Sequence, residues 1–175
     1  MANDSETIWM AKLSDTPLGD IWTARSDKGL VAVDLWEDEA RFVDMVYGLT
    51  GVNGEYDGQK LSGVHQHLSE YFSGQRKNFD ELIDWSVMTS FQQEALRLVN
   101  EIKYGQTRTY GDIAKQLGKP KSVRAVGRAN ATNPIPIIIP CHRVLGSDGR
   151  LRGYGAPGGV ETKAWLLRLE GSWLI

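Results

Sequence analysis

The chain has 175 residues, of which 41% are hydrophobic and 24% charged, and this balance is typical of a globular protein with one large core or two small ones. It contains no apolar run long enough to span a membrane, and its polar first six residues lack the basic and apolar regions of a signal peptide, so we expect a cytoplasmic protein. Its single cysteine excludes an internal disulfide bond and a cysteine-rich zinc site.

The net charge of −2 hides an uneven distribution of charge along the chain. Residues 1–89 carry 7 Lys and Arg against 16 Asp and Glu, whereas residues 90–175 carry 13 against 6. A basic module suggests a polyanionic partner, because cationic side chains displace the counterions of phosphates. Charge alone leaves open that the two halves are solvated surfaces of opposite sign that pack together.

The N-terminal half begins with patterns of strands and then of helices. Turn-forming residues separate three strand-like runs, which predicts an antiparallel meander over 8–13, 21–24 and 30–36. Apolar residues at helical spacing then predict two helices, the first with Phe42, Met45, Val46 and Leu49 and the second with Leu61, Val64, Leu68, Tyr71 and Phe72. The glycine-rich residues 50–58 between them predict a loop, and residues 81–85 a further strand.

Two histidines at His65 and His67 suggest a metal site at first sight. At this spacing on a helix the two rings face away from each other, and neither cysteines nor a matching carboxylate pattern accompany them. We therefore expect surface or half-buried histidines and no bound metal.

The C-terminal half predicts a series of helices. Ser90, with Gln93 in a capping box, begins the first, which ends near Tyr104. Thr109 caps the second and Ser122 caps the third, which reaches about residue 131. A last helix is predicted over 160–170, followed by an apolar tail, residues 173–175, docked on the surface.

The second and third of these helices match a helix-turn-helix, a pattern that also occurs in folds that bind no DNA. Arg124 and Arg128 lie one turn apart on the third helix, and its small residues keep it slim enough to approach a groove closely. We expect its inner face to contain Val123, Val126, Gly127 and Asn130.

Residues 136–144 contain the only cysteine, Cys141. Three isoleucines between two prolines predict a buried strand or extended segment, in which a lone cysteine is by default a packing residue. The neighbouring base His142 and cation Arg143 favour a reactive thiolate instead. Adjacent side chains point to different sides, so a water could be needed to bridge the sulfur and the imidazole.

A family resemblance is strongest at this stretch. Asn133-Pro134-Ile135-Pro136, followed by Ile139-Pro140-Cys141-His142-Arg143-Val144, resembles the acceptor motif of the O6-alkylguanine-DNA alkyltransferases, also called methylated-DNA-protein-cysteine methyltransferases. The likeness runs from about Phe91 to Gly171 and is weaker upstream. It implies an α+β protein: residues 1–86 form a small supporting antiparallel sheet with helices, ribonuclease H-like, and residues 87–175 form a mainly helical, winged-helix-like domain that binds DNA through the helix-turn-helix and accepts the alkyl group.

The resemblance also implies catalytic roles. Cys141 matches the alkyl acceptor, and a relay through water, His142 and Glu170 withdraws its proton. Tyr110 matches the tyrosine that assists rotation of the target phosphate and donates a proton toward the leaving purine. Asn133 matches the asparagine that orders the turn holding the site.

Further matching positions concern DNA and the substrate pocket. Arg124 matches the arginine that enters the duplex in place of the extruded nucleotide. The resemblance and the slim helix together give the DNA-binding set Tyr110, Ser122, Arg124, Ala125, Gly127 and Arg128. The expected pocket wall contains Val144, Tyr154, Gly155 and Ala156. Residues 156–157 look like an insertion relative to shorter members, which leaves the accepted alkyl size open.

The expected function is DNA repair by direct, irreversible transfer of an alkyl group from O6-alkylguanine in double-stranded DNA to Cys141, with O4-alkylthymine as a further candidate. Each molecule is expected to act once and as a monomer. No cofactor is expected, because the lesion itself carries the alkyl group. One alternative is a non-catalytic sensor of alkylated DNA, although related sensors lack the cysteine. Another is a thiol hydrolase that uses Cys141, His142 and Glu170. A transcriptional regulator would leave Cys141 without a role.

Overall fold

The computed structural model of the protein describes residues 6–36 and 38–173. The chain divides into two compact units between Val87 and Met88. The helices in these described ranges are all too short or too polar to span a bilayer. The predicted docking of the apolar tail depends on Leu174 and Ile175, which lie outside the described residues.

The first unit contains a four-stranded sheet. Three of its strands form the predicted antiparallel meander: β1 (Trp9–Thr16), β2 (Gly19–Ser26) and β3 (Gly29–Asp34). Trp9 lies opposite Arg25, and Thr23 lies opposite Val33. A short β4 (Glu55–Tyr56) pairs with β1 in parallel, giving the order β3-β2-β1-β4. The sheet is therefore mixed and not purely antiparallel, because a two-residue strand within a glycine-rich loop has no periodicity that could reveal it.

Two helices accompany this sheet, as predicted: α1 (Glu39–Thr50) and α2 (Gly58–Phe72). Aspartate side chains cap both, Asp38 for α1 and Asp57 for α2, by accepting hydrogen bonds from the first turn. The ring of Phe42 on α1 stacks on Trp22 of β2 with centroids 5.7 Å apart. Phe42 and Trp22 belong to one buried cluster that also contains Ile8, Met10, Ala24, Val31, Ala32 and Val46.

The strand predicted over residues 81–85 is wrong. Ile83 forms a single bridge with Leu30, and Trp85–Val87 is a 3₁₀ turn. The buried carboxylate of Asp84 accepts hydrogen bonds from the hydroxyls of Ser26, at 2.6 Å, and Ser86, at 2.5 Å. These hydrogen bonds hold the chain in a turn, so its pairing with the sheet ends after the single bridge between Ile83 and Leu30.

The two histidines of α2 have separate partners. His65 Nε2 lies 2.8 Å from the hydroxyl of Thr23, and His67 Nδ1 pairs with the carboxylate of Glu81. Because each ring is held by a different neighbour, the pair is not arranged as a shared metal site.

The second unit is mainly helical. Its elements are α3 (Ser90–Asn100), β5 (Arg108–Thr109), α4 (Tyr110–Gln116), α5 (Val123–Ala131), β6 (Val144–Leu145) and α6 (Val160–Leu169). Helices α3, α4 and α5 pack against one another. Buried apolar residues on these helices include Ala95, Leu96, Val99, Ile113, Ala114 and Val126. Strands β5 and β6 pair in parallel, with Arg108 opposite Val144, so the start of α4 lies next to the segment that follows Cys141.

The helix caps agree only in part with the predicted ones. The capping box of Thr109 with Asp112 at the start of α4 contains the predicted cap residue. The cap of α3 is Thr89 with Gln92, one residue earlier than predicted, because Thr89 is the last residue with extended backbone. Helix α3 also ends at Asn100, short of Tyr104. Ser122 precedes α5 as predicted, but its side chain makes no capping hydrogen bond.

Candidate active site

The segment before Cys141 is buried, as predicted, but it forms a compact turn and not the predicted strand or extended segment. The side-chain amide of Asn133 donates to the carbonyl of Ile139 at 2.9 Å, and its oxygen accepts from the backbone N–H of Ile135 at 3.0 Å. Ile137 has a φ of 73°, which is rare for a β-branched residue, and is fully buried. Packing and the Asn133 bonds therefore override the extended preference of the isoleucines.

Cys141 follows this turn as the first residue of a 3₁₀ turn, Cys141–Arg143, that leads into β6. The residue is only 5% exposed. Burial raises the pKa of its thiol, although a hydrogen bond from Asn133 and the charge of Lys163 act in the opposite direction. The thiol is therefore protonated at rest, and a nucleophilic reaction needs a base.

His142 and Glu170 form a buried pair that can supply this base. Nε2 of His142 lies 2.7 Å from Oε1 of Glu170, and both side chains are inaccessible to solvent. Burial opposes ionisation of Glu170, but the hydrogen bonds from His142 and Arg143 outweigh it and lower its pKa to about 2. Glu170 is thus an anion that accepts the Nε2 proton, which leaves Nδ1 as the basic nitrogen. Burial lowers the pKa of His142, so the ring is neutral near neutral pH.

Arg143, which the sequence indicated only as a nearby cation that favours a thiolate, completes this cluster as a partner of Glu170. Its Nε donates to Oε2 of Glu170 at 2.8 Å, its Nη2 donates to Oε1 at 2.9 Å, and its Nη1 donates to the carbonyl of Ile102. Glu170 is therefore shared by two consecutive side chains, Arg143 and His142. A carboxylate at the C-terminal end of a helix was a sequence signal that a cationic partner holds it there.

Lys163 is a second group that the sequence analysis missed. It lies on α6 and is 1% exposed, and its Nζ donates to the carbonyl of Val144 at 2.6 Å and lies 3.5 Å from the hydroxyl of Tyr110. Burial lowers the pKa of Lys163 to about 8, despite the opposing effect of Cys141. Burial, followed by the charge of Cys141, raises the pKa of Tyr110. The sequence signal for this burial was the position of Lys163 beside the apolar stripe of Ala164 and Leu167.

Helix α5 presents a cationic face to solvent. Arg124, Ala125 and Arg128 are exposed, and a Cβ atom at Gly127 would meet no atom within 4 Å apart from the backbone of its own helix. Val126 and Asn130 are buried as predicted, but Val123 is 40% exposed, and Ala129 is buried instead. The buried face of α5 therefore includes Ala129 in place of the predicted Val123. A cavity of about 370 Å³ beside it is lined by Thr89, Phe91, Gln92, Ala125, Arg128, Ala129 and Thr132.

Of the predicted pocket wall, Tyr154, Gly155 and Ala156 lie in the loop between β6 and α6, and Val144 is the first residue of β6. Ala156 is 7% exposed, and Val144 is completely buried. A side chain at Gly155 would come within 3.1 Å of the carbonyl of Ala131 at the end of α5, so the loop runs close to that helix. The hydroxyl of Tyr154 is buried and has no hydrogen-bond partner among the described residues.

Two family models match the chain in succession. Residues 10–85 match the ribonuclease-like domain of 6-O-methylguanine DNA methyltransferase, and residues 90–172 match its DNA binding domain.

Curated relatives are similar over nearly their whole length. The methylated-DNA–protein-cysteine methyltransferase of Shigella flexneri is 38% identical over 91% of this chain and 94% of its own. The protein of the same name from Methanosarcina acetivorans is 40% identical over 90% and 96%.

Solved structures are similar as well. The Mycobacterium tuberculosis protein OGT in complex with DNA matches with a TM-score of 0.79 and 37% identity, covering 94% of this chain and 93% of its own. The O6-methylguanine-DNA methyltransferase of the archaeon Pyrococcus kodakaraensis matches with a TM-score of 0.69 and 27% identity, covering 94% and 99%.

Proposed function

The chain belongs to the 6-O-methylguanine DNA methyltransferase family, and from this membership we propose that Cys141 takes the alkyl group from O6 of guanine in double-stranded DNA. The family repairs DNA directly by transferring the alkyl group to a cysteine of the protein. One observation carries the assignment to this residue: the chain has a single cysteine. Its position beside a buried base and carboxylate supports the same role.

The reaction is a direct displacement. Nδ1 of His142 receives the thiol proton, and Glu170 stabilises the resulting imidazolium. The thiolate attacks the alkyl carbon in line with the C–O bond, which breaks as the S–C bond forms. Tyr110, kept neutral by its raised pKa, donates a proton toward the leaving guanine. The product thioether is stable, so each molecule acts once. No cofactor takes part, because the lesion carries the alkyl group.

DNA binding is assigned to α4 and α5 as a helix-turn-helix, with α5 lying in the minor groove. The exposed Arg124 and Arg128 supply positive charge, and residues 90–175 as a whole are basic. Cys141 is too deeply buried to meet a base that remains stacked in the duplex. The guanine is therefore extruded into the site, and Arg124 fills the space that it leaves. We expect a monomeric protein acting in the cytoplasm.

The test is the intact mass of the protein after incubation with a duplex that bears one O6-methylguanine. We expect one methyl group per molecule, mapped to the peptide with Cys141 and not exceeded with excess DNA. Cys141→Ser should abolish the gain but retain DNA binding. A duplex with O4-methylthymine tests the second candidate substrate in the same way.

Other outcomes of this experiment identify the competing functions. Binding to the lesion without any change of mass would identify a damage sensor. Repeated turnover of an ester or peptide, with no methyl gained from DNA, would identify a thiol hydrolase.

A further inference from the structure

The segment after α3 lies against the C-terminal end of α6. The hydroxyl of Tyr104 donates to the backbone carbonyl of Leu169 at 2.9 Å. Carbonyls in the last turn of a helix lack partners within the helix, so this bond satisfies one of them directly before Glu170, the residue at which α6 ends. Tyr104 and Leu169 are 65 positions apart, and the contact therefore fixes the end of α6 on a distant part of the chain.

Two further contacts of this segment converge on the buried ion pair of Arg143 and Glu170. The backbone N–H of Gly105 donates to Oε2 of Glu170 at 3.4 Å. Cζ of Arg143 lies 5.9 Å from the centre of the Tyr104 ring, within the range of a cation–π contact. Gly105 has a φ of 75°, and a Cβ atom there would come within 3.2 Å of the carbonyl oxygen of Glu170. Tyr104 and Gly105 thus contact both partners of the ion pair.

The position of Glu170 matters because two side chains compete for its carboxylate. Oε1 lies 2.7 Å from Nε2 of His142 and 2.9 Å from Nη2 of Arg143. Burial lowers the pKa of His142, the hydrogen bond and the charge of Glu170 raise it, and the charges of Arg143 and Lys163 lower it. A small displacement of the carboxylate toward the arginine would therefore weaken the imidazole as a base, although the ion pair itself remained. Tyr154 also senses the charge of Glu170, but burial, Cys141 and Glu170 raise its pKa well above the usual range, so it stays neutral.

We propose that Tyr104 is a positioning residue, which holds the end of α6 and covers Arg143 so that the carboxylate of Glu170 stays shared with His142. This role rests on the proposed function of Cys141 as alkyl acceptor, with His142 as its base. The phenol of Tyr104 stays neutral, because burial and the charge of Glu170 raise its pKa more than the charge of Arg143 lowers it. Tyr104 therefore acts through the placement of Glu170 and not through its own ionisation.

Tyr104→Phe tests this role, because it removes the hydroxyl and retains the ring beside Arg143. Without the bond to Leu169 the end of α6 is released, and the imidazolium that forms with the thiolate is less well stabilised. We expect the pH profile of single-turnover methyl transfer, followed by intact mass at saturating DNA, to shift to higher pH by roughly half a unit, which corresponds to about a threefold slower reaction at neutral pH. Tyr104→Leu, which removes the ring as well, should shift the profile further.

A second readout needs no DNA. Because Cys141 is the only cysteine, the rate of modification by iodoacetamide reports on its thiolate alone. This rate should also fall in Tyr104→Phe at neutral pH and recover at alkaline pH.

Two substitutions serve as matched controls. Ser172→Ala removes a hydroxyl that donates to the carbonyl of Leu167 at 3.1 Å, in the same last turn of α6. Tyr56→Phe removes an exposed phenol that donates to Glu39 at 2.7 Å in the first unit. We expect the melting temperature to fall by about 2–4 °C in both Tyr104→Phe and Ser172→Ala, as for the loss of one hydrogen bond. The pH profile should shift only in the Tyr104 variants.

The outcomes separate this proposal from the one on which it rests. Unchanged pH profiles in both Tyr104 variants would overturn the role of Tyr104 and leave Cys141 as the acceptor. An equal shift in Ser172→Ala would overturn it too, since the stability of the helix end alone would then set the profile. Absence of methyl transfer by the wild type would refute the proposed function itself, whereas the iodoacetamide rates would still report on Tyr104.

Discussion

Arg143 and Glu170 form a buried two-point ion pair, with Nε and Nη2 of the arginine 2.8 Å and 2.9 Å from the two carboxylate oxygens. The arginine reaches Glu170 from the residue directly after His142, so the anion that orients the imidazole is itself held in place. Such a pair adds little net stability when intact, but removal of one partner leaves an uncompensated buried charge.

Glu170→Gln should therefore destabilise the protein by about 3–5 kcal/mol, because Arg143 would remain buried without its counter-ion. Chemical denaturation measures this free energy of unfolding. The matched control is Glu94→Gln, which breaks the exposed pair with Lys119 and should cost less than about 1 kcal/mol. Equal, small effects of the two substitutions would show that Arg143 does not depend on Glu170.

Stability should fall in two stages on acidification. Burial lowers the pKa of His142 below its usual 6.5, so the unfolded chain gains a proton there before the folded chain does, and stability declines as the pH drops below 6.5. The folded pKa of Glu170 is about 2 against a usual 4.5, so further stability is lost as the pH falls from 4.5 toward 2.

Thermal unfolding at a series of pH values checks this order of events. His142→Gln should weaken the first stage, to which His65 contributes as well because burial lowers its pKa too, and Glu170→Gln should weaken the second. A melting temperature that stays constant from neutral pH down to 4.5 in the wild type would contradict the assignment to His142.

The two arginines of α5 should differ in their effects. Arg128→Ala should weaken binding to damaged and undamaged duplexes alike. The slope of log K against log salt concentration should decrease in magnitude by about 1, as for the loss of one phosphate contact. Arg124→Ala should in addition slow methyl transfer at saturating DNA by roughly 10–100-fold, because it removes the side chain that we propose replaces the extruded guanine.

Binding titrations at several salt concentrations and single-turnover transfer measure these effects. Arg168→Ala, an exposed arginine of α6, is the control and should change neither quantity. If Arg124→Ala reduced affinity only, its role inside the duplex would be refuted.

Asn133→Ala should loosen the turn that holds Cys141. It removes the bonds to Ile139 and Ile135, each contributing about 1 kcal/mol, so we expect a loss of about 2 kcal/mol in the free energy of unfolding. The pKa of Cys141 should rise further, because Asn133 also donates a hydrogen bond that lowers it.

Denaturation and the pH dependence of iodoacetamide modification test the two parts of this prediction. Asn100→Ala, at the exposed end of α3, is the control. A change below about 0.5 kcal/mol in Asn133→Ala would mean that packing around Ile137 alone maintains the turn.

The sequence predictions were correct where local interactions determine the structure and wrong where contacts between distant residues determine it. The meander and the cap at Thr109 were predictable, since a strand period and a capping pattern are local. The turn at Ile137 was not, because an isoleucine adopts a positive φ only where tertiary packing imposes it. The pairing of Arg143 with Glu170 and that of Lys163 with Val144 were not predicted for the same reason: these contacts join residues 19 or more positions apart.

The family resemblance, which runs from about Phe91 to Gly171 and is strongest at the motif around Cys141, correctly identified the function, and the local patterns alone did not. A single cysteine among isoleucines is usually a core residue, and two short helices occur in many folds. Glu170, whose Oε1 lies 2.7 Å from Nε2 of His142, is 28 positions away from it in sequence, so the two side chains meet only in the folded unit.

The concealment of Cys141 has a further consequence for a protein that its own reaction consumes. Such a molecule has to survive among oxidants and small electrophiles until it meets damage. A buried thiol that is kept protonated resists both, since the thiolate is the form that oxidises and alkylates. The depth of the sulfur thus slows its reaction with free small electrophiles and favours an alkyl group carried in by a base that fits the site.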